Sequence, residues 1–177
     1  MTCRSSCKIV FLGNSESGKS SIISTILNTK PRNEITIGCD LSTHDTVGPD
    51  GCVTCMQFWD TGGSERFRSL CLMYARSSAV AVVVADGTKG VTTTRGVFRD
   101  WTSALETICQ QRAFYVINKI DDLDADALRV LREAFPSCVF VSAVTGEGIS
   151  ELFAELKGVA VTTHKHIIPS VQRARCF

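Results

Sequence analysis

Cys7-Lys-Ile-Val-Phe-Leu-Gly-Asn-Ser-Glu-Ser-Gly-Lys-Ser20 is the stretch that decides the fold. Its first half, Cys7–Leu12, is an apolar run of strand length ending on Gly13. Its second half, Gly13–Ser20, fits G-x-x-x-x-G-K-S, and Ile22, Ile23, Ile26 and Leu27 then mark one face of a helix over Lys19–Asn28. A buried strand, a glycine-rich turn and a helix together make a phosphate-binding unit. The glycines let backbone wrap closely round an anion, and successive N–H groups with the helix N-terminus bind it. Ser15, Glu16, Ser17, Gly18, Lys19, Ser20 and Ser21 are therefore the candidate phosphate residues. Lys19 would reach the β- and γ-phosphates, and the Ser20 hydroxyl would coordinate Mg2+.

Outward from this unit, strands and helices alternate. Cys39–Val47 and Cys52–Asp60 flank Gly48-Pro-Asp-Gly51 and read as an antiparallel hairpin. Ala79–Ala85, Ala113–Asn118 and Cys138–Val141 read as strands. Val97, Phe98, Trp101, Leu105 and Ile108 mark a long amphipathic helix, and Leu128, Leu131 and Phe135 a short one. Ile149, Leu152, Phe153 and Leu156 mark a last helix. The pattern predicts an α/β P-loop NTPase fold: a mostly parallel six-stranded sheet, one antiparallel strand from the hairpin, helices on both faces. Ligands then sit at the carboxyl ends of the strands.

Three further motifs fall at such strand ends. Asp60-Thr-Gly-Gly63 places a carboxylate where it can hold a Mg2+ shell, followed by glycines whose backbone N–H can approach a γ-phosphate. Asn118-Lys-Ile-Asp121 has the spacing used to read guanine: the Asp121 carboxylate can accept two hydrogen bonds from the N1–H and N2–H2 edge. Adenine lacks both donors in that arrangement, a penalty of ~1–3 kcal/mol or more. Lys119 can lie over the base and against the phosphate-loop backbone. Ser142-Ala143 can offer a backbone N–H to guanine O6, with Val144 beside it. The expected ligand is GTP or GDP with Mg2+.

The bulk numbers fit one domain. The chain has 177 residues, 44% apolar and 21% charged, with a formal net charge of +1 that argues against broad nucleic-acid binding. No apolar run nears the ~20 residues of a membrane-spanning helix, and the stretch after Arg4 and Lys8 is too short for a signal peptide. A cytoplasmic protein is expected. The 9 cysteines are scattered without regular spacing and read as free thiols, Cys52-Val-Thr-Cys55 included. The expected organisation is an N-terminal extension over 1–6, a nucleotide-binding domain over 7–160 and a flexible tail over 161–177.

From about Cys7 to Ala160 these motifs resemble the Ras superfamily of small GTPases. Thr36-Ile-Gly-Cys-Asp40 and Phe58-Trp-Asp-Thr-Gly-Gly-Ser-Glu-Arg-Phe67 are most similar to the Rab branch. The resemblance implies a molecular switch that hydrolyses GTP, with Lys19, Thr36, Gly63 and Ser64 at the reacting centre and Ser20, Thr36 and Asp60 around Mg2+. It also implies that Thr36 and Gly63 both hold the γ-phosphate and let go when it leaves, which releases both switch segments. The partners it implies are effectors, an exchange factor and a GTPase-activating protein, acting through the two switch segments.

Four departures from the family stand out. Ser64 replaces the glutamine that orients the attacking water, and its side chain is too short to span the same distance. Glu16 puts a carboxylate inside the phosphate loop, where it opposes the phosphates, screened over ~8 Å. The segment from Ser20 to Thr36 is short and has no Phe or Tyr to stack on the guanine edge. Val144 stands where a lysine is usual. These point to slow hydrolysis and weak nucleotide retention, with a GTP-bound scaffold that barely hydrolyses as the alternative. The tail carries Lys165, Arg173 and Arg175 and ends Arg175-Cys176-Phe177, neither a CaaX box nor a double-cysteine ending. Cys176, Cys3 and Cys7 are the candidates for lipidation on the cytosolic face of a membrane, against an unmodified tail. His164 and His166 read as solvated.

Overall fold

The structure, a computed structural model, describes residues 4–30, 36–64, 68–107 and 112–167, with side chains as far as 162. Cys3, Ile108 and Cys176 lie outside these residues, as do the side chains of His164 and His166.

A six-stranded sheet is built from β1 (Arg4–Leu12), β2 (Cys39–Val47), β3 (Val53–Thr61), β4 (Val80–Asp86), β5 (Arg112–Asn118) and β6 (Val139–Phe140). The strand order is β2-β3-β1-β4-β5-β6, with β2 antiparallel to β3 and the other pairings parallel. The helices are α1 (Lys19–Ile26), α2 (Arg68–Ala75), α3 (Gly90–Glu106), α4 (Ala125–Ala134) and α5 (Ile149–Ile167). β1 begins at Arg4, ahead of the apolar run, because Ser5 and Ser6 pair with Thr54 and Cys55 of β3. The Ser5 and Thr54 hydroxyls share a hydrogen bond of 2.9 Å.

The strands of the sheet's middle are apolar on both sides because both sides are covered. Val80, Val82 and Val84 of β4 face α1 and α5, packing with Ile22, Ile23, Leu152 and Leu156. Ala81, Val83 and Ala85 face the other way, toward Cys71 and Ala75 of α2, Phe98 and Trp101 of α3 and Leu131 of α4. These six β4 residues are at most 2% exposed, and each valine so buried contributes ~1.5–3 kcal/mol.

The hairpin turn closes with Gly48 N donating to Cys52 O at 2.9 Å and Asp50 Oδ1 accepting from Cys52 N at 3.1 Å. At the other end of β3, the Thr61 hydroxyl donates to Phe11 O at 2.7 Å. That bond ties the Asp60-Thr-Gly-Gly63 segment to the strand feeding the phosphate loop. Cys7 lies in the core at 1% exposure, its thiol pushed up to about 11 by burial. Among the described residues no helix is long and apolar enough to cross a membrane.

Candidate nucleotide and metal site

β1 runs out at Leu12 between β3 and β4, so the glycine-rich loop emerges at the carboxyl edge of the sheet. Asn14, Ser15 and Glu16 are exposed there, and Glu16 holds a left-handed φ of +62°. Ser17 is buried. Gly18 caps α1 at φ +87°, and a Cβ on it would stand 2.1 Å from Asn118 Nδ2. Only glycine fits both the angle and the contact.

Lys19 is 5% exposed. Its ammonium donates to Gly13 O at 3.1 Å and Asn14 O at 2.9 Å, which curls it over its own loop. Burial pulls the Lys19 pKa down to about 8, against the Asp60 carboxylate that favours the charged form. A buried cation with two carbonyl acceptors among the described residues is under-compensated and is poised to receive an anion.

Beside it, three side-chain oxygens converge from three segments. Ser20 Oγ at the start of α1 donates to Asp60 Oδ2 and lies 3.2 Å from Thr36 Oγ1, which donates to the same Oδ2 at 3.3 Å. Asp60 Oδ1 is buried and, among the described residues, has no hydrogen-bond partner. Burial raises the Asp60 pKa, with the Ser20 bond and the Lys19 charge pulling the other way.

On the opposite side, Asn118 fastens two loops together. Its Nδ2 donates to Ser17 O at 2.9 Å, and its Oδ1 accepts from Ala143 N at 3.1 Å. Thr25 of α1 donates to Ala143 O at 2.8 Å. Ser142 is fully buried, its hydroxyl accepting from Thr145 N at 3.0 Å. Asp121, in a 3-10 turn over Ile120–Asp122, and Val144 are exposed, and Ile120 N donates to Val141 O at 3.4 Å between their segments.

Lys119 sends its ammonium to Asp86 Oδ2 at 2.8 Å, at the end of β4, and not to the phosphate-loop backbone, which Asn118 reaches instead. The Ala143 N–H donates to Asn118 Oδ1.

Residues 8–121 match the family described as Ras of Complex, Roc, domain of DAPkinase. Among curated proteins, the chain is 33% identical to the Ras-related protein Rab-18-B of Danio rerio over 159 residues, covering 84% of this chain and 76% of the relative. It is 32% identical to the putative Ras-related protein Rab-5B of Dictyostelium discoideum over 158 residues, 84% of this chain and 72% of that one. A probable Rab-related GTPase of Acanthamoeba polyphaga mimivirus is 30% identical over 164 residues, 84% and 74% of the two chains. The chain is a small GTPase of the Rab branch.

Small GTPases of this superfamily bind GTP or GDP with Mg2+, and the residues of this GTPase fit both. The lone-pair-bearing Asp60 Oδ1, buried and unpartnered beside two hydroxyls, has the donor chemistry of a hard, oxygen-ligated cation. The under-compensated Lys19 and the backbone of Asn14–Ser17 suit polyphosphate.

Three contributors to the site carry no motif of their own. Asp86 holds Lys119. Its carboxyl is partly buried, which opposes ionisation, yet hydrogen bonds from Lys119 and Thr88 outweigh that and keep its pKa below the usual value. Thr88 gives it a backbone bond of 2.9 Å and a hydroxyl bond of 2.6 Å. Thr25 supports Ala143, and Cys71 of α2 donates its thiol to Gly62 O at 3.2 Å. A polar residue closing the β4 apolar run is the one sequence signal for Asp86. Nothing local marks the other two.

Proposed function

We propose that this GTPase is a guanine-nucleotide switch that hydrolyses GTP slowly and releases nucleotide readily, acting in membrane traffic through effectors, an exchange factor and a GTPase-activating protein. The observation that carries the reading is the convergence of Ser20, Thr36 and Asp60, with Asp60 Oδ1 unpartnered, next to Lys19. In this reading Ser20, Thr36 and Asp60 hold Mg2+, which supplies positive charge to the β- and γ-phosphates. Backbone of Ser15–Ser21 and the Lys19 ammonium hold the phosphates. Asp121 reads the guanine edge, the Lys119 stem covers the base on its tether to Asp86, and Asn118, Ser142, Ala143 and Val144 shape the pocket wall.

Gly63 and Ser64 lie three and four residues after the metal carboxylate Asp60. A serine there cannot orient water as a longer amide does, so little beyond positioning and electrostatics accelerates hydrolysis. Ser64 equally favours a second reading, a GTP-loaded scaffold. Exposed Leu41, opposite Trp59 in the β2–β3 register, and exposed Met73, next to Tyr74, adjoin the Trp59–Tyr74 ring pair, whose centroids are 5.7 Å apart. Apolar side chains in water beside both switch segments support docking of a protein effector there. Membrane association through lipidated Cys176 or Cys3 is part of this proposal.

Chromatography of nucleotide released from the purified protein tests it. GDP supports the switch, GTP the scaffold, and adenine nucleotide refutes guanine recognition.

A further inference from the structure

Away from the nucleotide crevice, α3 carries Arg95, Arg99 and Thr102 along one ridge, the i, i+4, i+7 spacing of a single helix face. They overhang a groove of about 310 Å3 whose far wall is the connection from α4 to β6, Phe135 to Cys138. Its floor is aromatic. Phe98 meets Tyr115 edge-on with 5.1 Å between ring centroids and Phe135 at 5.6 Å, and the Tyr115 and Phe135 rings are half-buried. The phenol O–H on that floor is already committed. Because the Thr102 hydroxyl donates to Phe98 O at 2.7 Å, Tyr115 is the donor in its own 2.6 Å bond with Thr102. Charge recognition in the groove therefore falls to the arginines at its rim. The Arg95 guanidinium lies 5.9 Å from the Phe135 ring centroid, and a ring face supplies no oxygen acceptor, so its N–H groups are left for an anion. Arg99 gives Nε and Nη2 to Asp100 Oδ1, each at 3.2 Å, in a pair exposed on both sides. Such a pair is weak and yields to a better-placed carboxylate. Among the described residues, no Asp or Glu lines the groove.

We propose that this groove docks an acidic segment of a partner protein, which seats one large apolar side chain on the rings of Phe98, Tyr115 and Phe135 and sets carboxylates against Arg95 and Arg99. The sign of the charge selects the occupant. Residues 163–177 of this chain carry Lys165, Arg173 and Arg175 and no Asp or Glu, so the rim repels them. The two arginines stand one turn apart, ~6 Å along α3, within reach of carboxylates on one short segment. An aromatic floor supplies the apolar anchor point and the arginines supply direction, a division common to protein docking sites. The lining includes no residue of the phosphate loop, of 36–42, of 60–64 or of Asn118–Asp121. Docking here is therefore indifferent to which guanine nucleotide is bound, and it stands apart from the switch reading.

The test uses the full chain, loaded with GDP or with a non-hydrolysable GTP analogue, and a short fluorescein-labelled peptide holding one phenylalanine between aspartates and glutamates. Anisotropy should show saturable binding, equal to within about twofold for the two nucleotides. Lysines in place of the acids should abolish it, and alanine in place of the phenylalanine should weaken it by about tenfold. Arg95→Gln with Arg99→Gln should also cost about tenfold, most of it lost at high salt, whereas Arg4→Gln, which removes the same charge from β1, should change affinity by less than about twofold. All three arginines are exposed, so melting temperatures should stay at the parent value. Backbone amide shifts on titration should centre on 95–102 and 135–138. Absence of saturable binding refutes the proposal. An equal loss for Arg4→Gln and Arg95→Gln refutes it too, as attraction to overall charge alone. Shifts centred on 36–42 or 68–75 would move the peptide to the switch face and overturn the assignment.

Discussion

Lys19 should make nucleotide affinity and ligand-free stability respond to pH in opposite directions. Burial brings its pKa from 10.5 to about 8, an imbalance of ~3 kcal/mol against the ammonium in the folded, ligand-free chain. Between those two values the folded chain binds fewer protons than the unfolded one, so stability of the ligand-free form rises with pH through that window. Polyphosphate reverses the preference, because an anion beside the amine favours its charged form. The complex therefore keeps a proton that the free protein loses, and affinity should fall by up to about tenfold per pH unit above 8. Competition titrations against a fluorescent GDP analogue, with Mg2+ in excess at constant ionic strength, measure the slope. Guanine also loses a proton in alkali, so Lys19→Met is the control: it should bind more weakly but with a flatter profile. Parallel profiles for the parent and Lys19→Met would refute the account.

Three further outcomes follow from the site. Asp121→Asn should move preference from guanine toward xanthine nucleotides, since the amide can donate to the O2 that replaces N2–H2; a loss of GTP affinity smaller than about tenfold, ~1.4 kcal/mol, would remove Asp121 from the base. Ser64→Gln should raise single-turnover hydrolysis by restoring a water-orienting amide while Lys19 stays put, and an unchanged rate would place the water contact elsewhere. Glu16→Gly should slow release of a GDP analogue at low salt and less so at high salt, and it also relieves a left-handed φ of +62° that costs a non-glycine residue ~1–2 kcal/mol; indifference to the substitution would sink the electrostatic argument.

The parts of the fold that can be read from residue order are those with local signatures. β1 and β4 announce themselves as apolar runs because both faces of those strands are buried, and the hairpin does so through Gly48-Pro-Asp-Gly51. α2 gives no such notice. Only Cys71 and Ala75 of Arg68–Ala75 are fully buried, Leu72 and Tyr74 are half-buried against the same core and Met73 between them is exposed, so no clean stripe appears. The site residues on the four motifs are legible because chemistry fixes their spacing. The pairing of Lys119 with Asp86 is not, because those residues are 33 positions apart and meet only through the register of β4 on β5, where Asp86 stands opposite Asn118.

The two hydrogen bonds of Asn118, donated to Ser17 O on one side and accepted from Ala143 N on the other, have a consequence for the order in which the crevice opens. The guanine wall and the phosphate loop are clasped by the chain's own side chain, with Thr25 bracing the same strut from α1. The metal side is held differently: its oxygens meet through Ser20 and Thr36, and Thr36 adjoins a segment that reaches β2 only at Cys39. Nucleotide is thus expected to depart phosphate-end first, with the purine chamber keeping its shape after the metal has gone. Backbone amides at 17–18 and 143–146 should then exchange with solvent as one slow unit in GDP-bound protein stripped of Mg2+, while those at 36–38 exchange early; simultaneous loss of protection in both groups would show that the crevice opens as a single body.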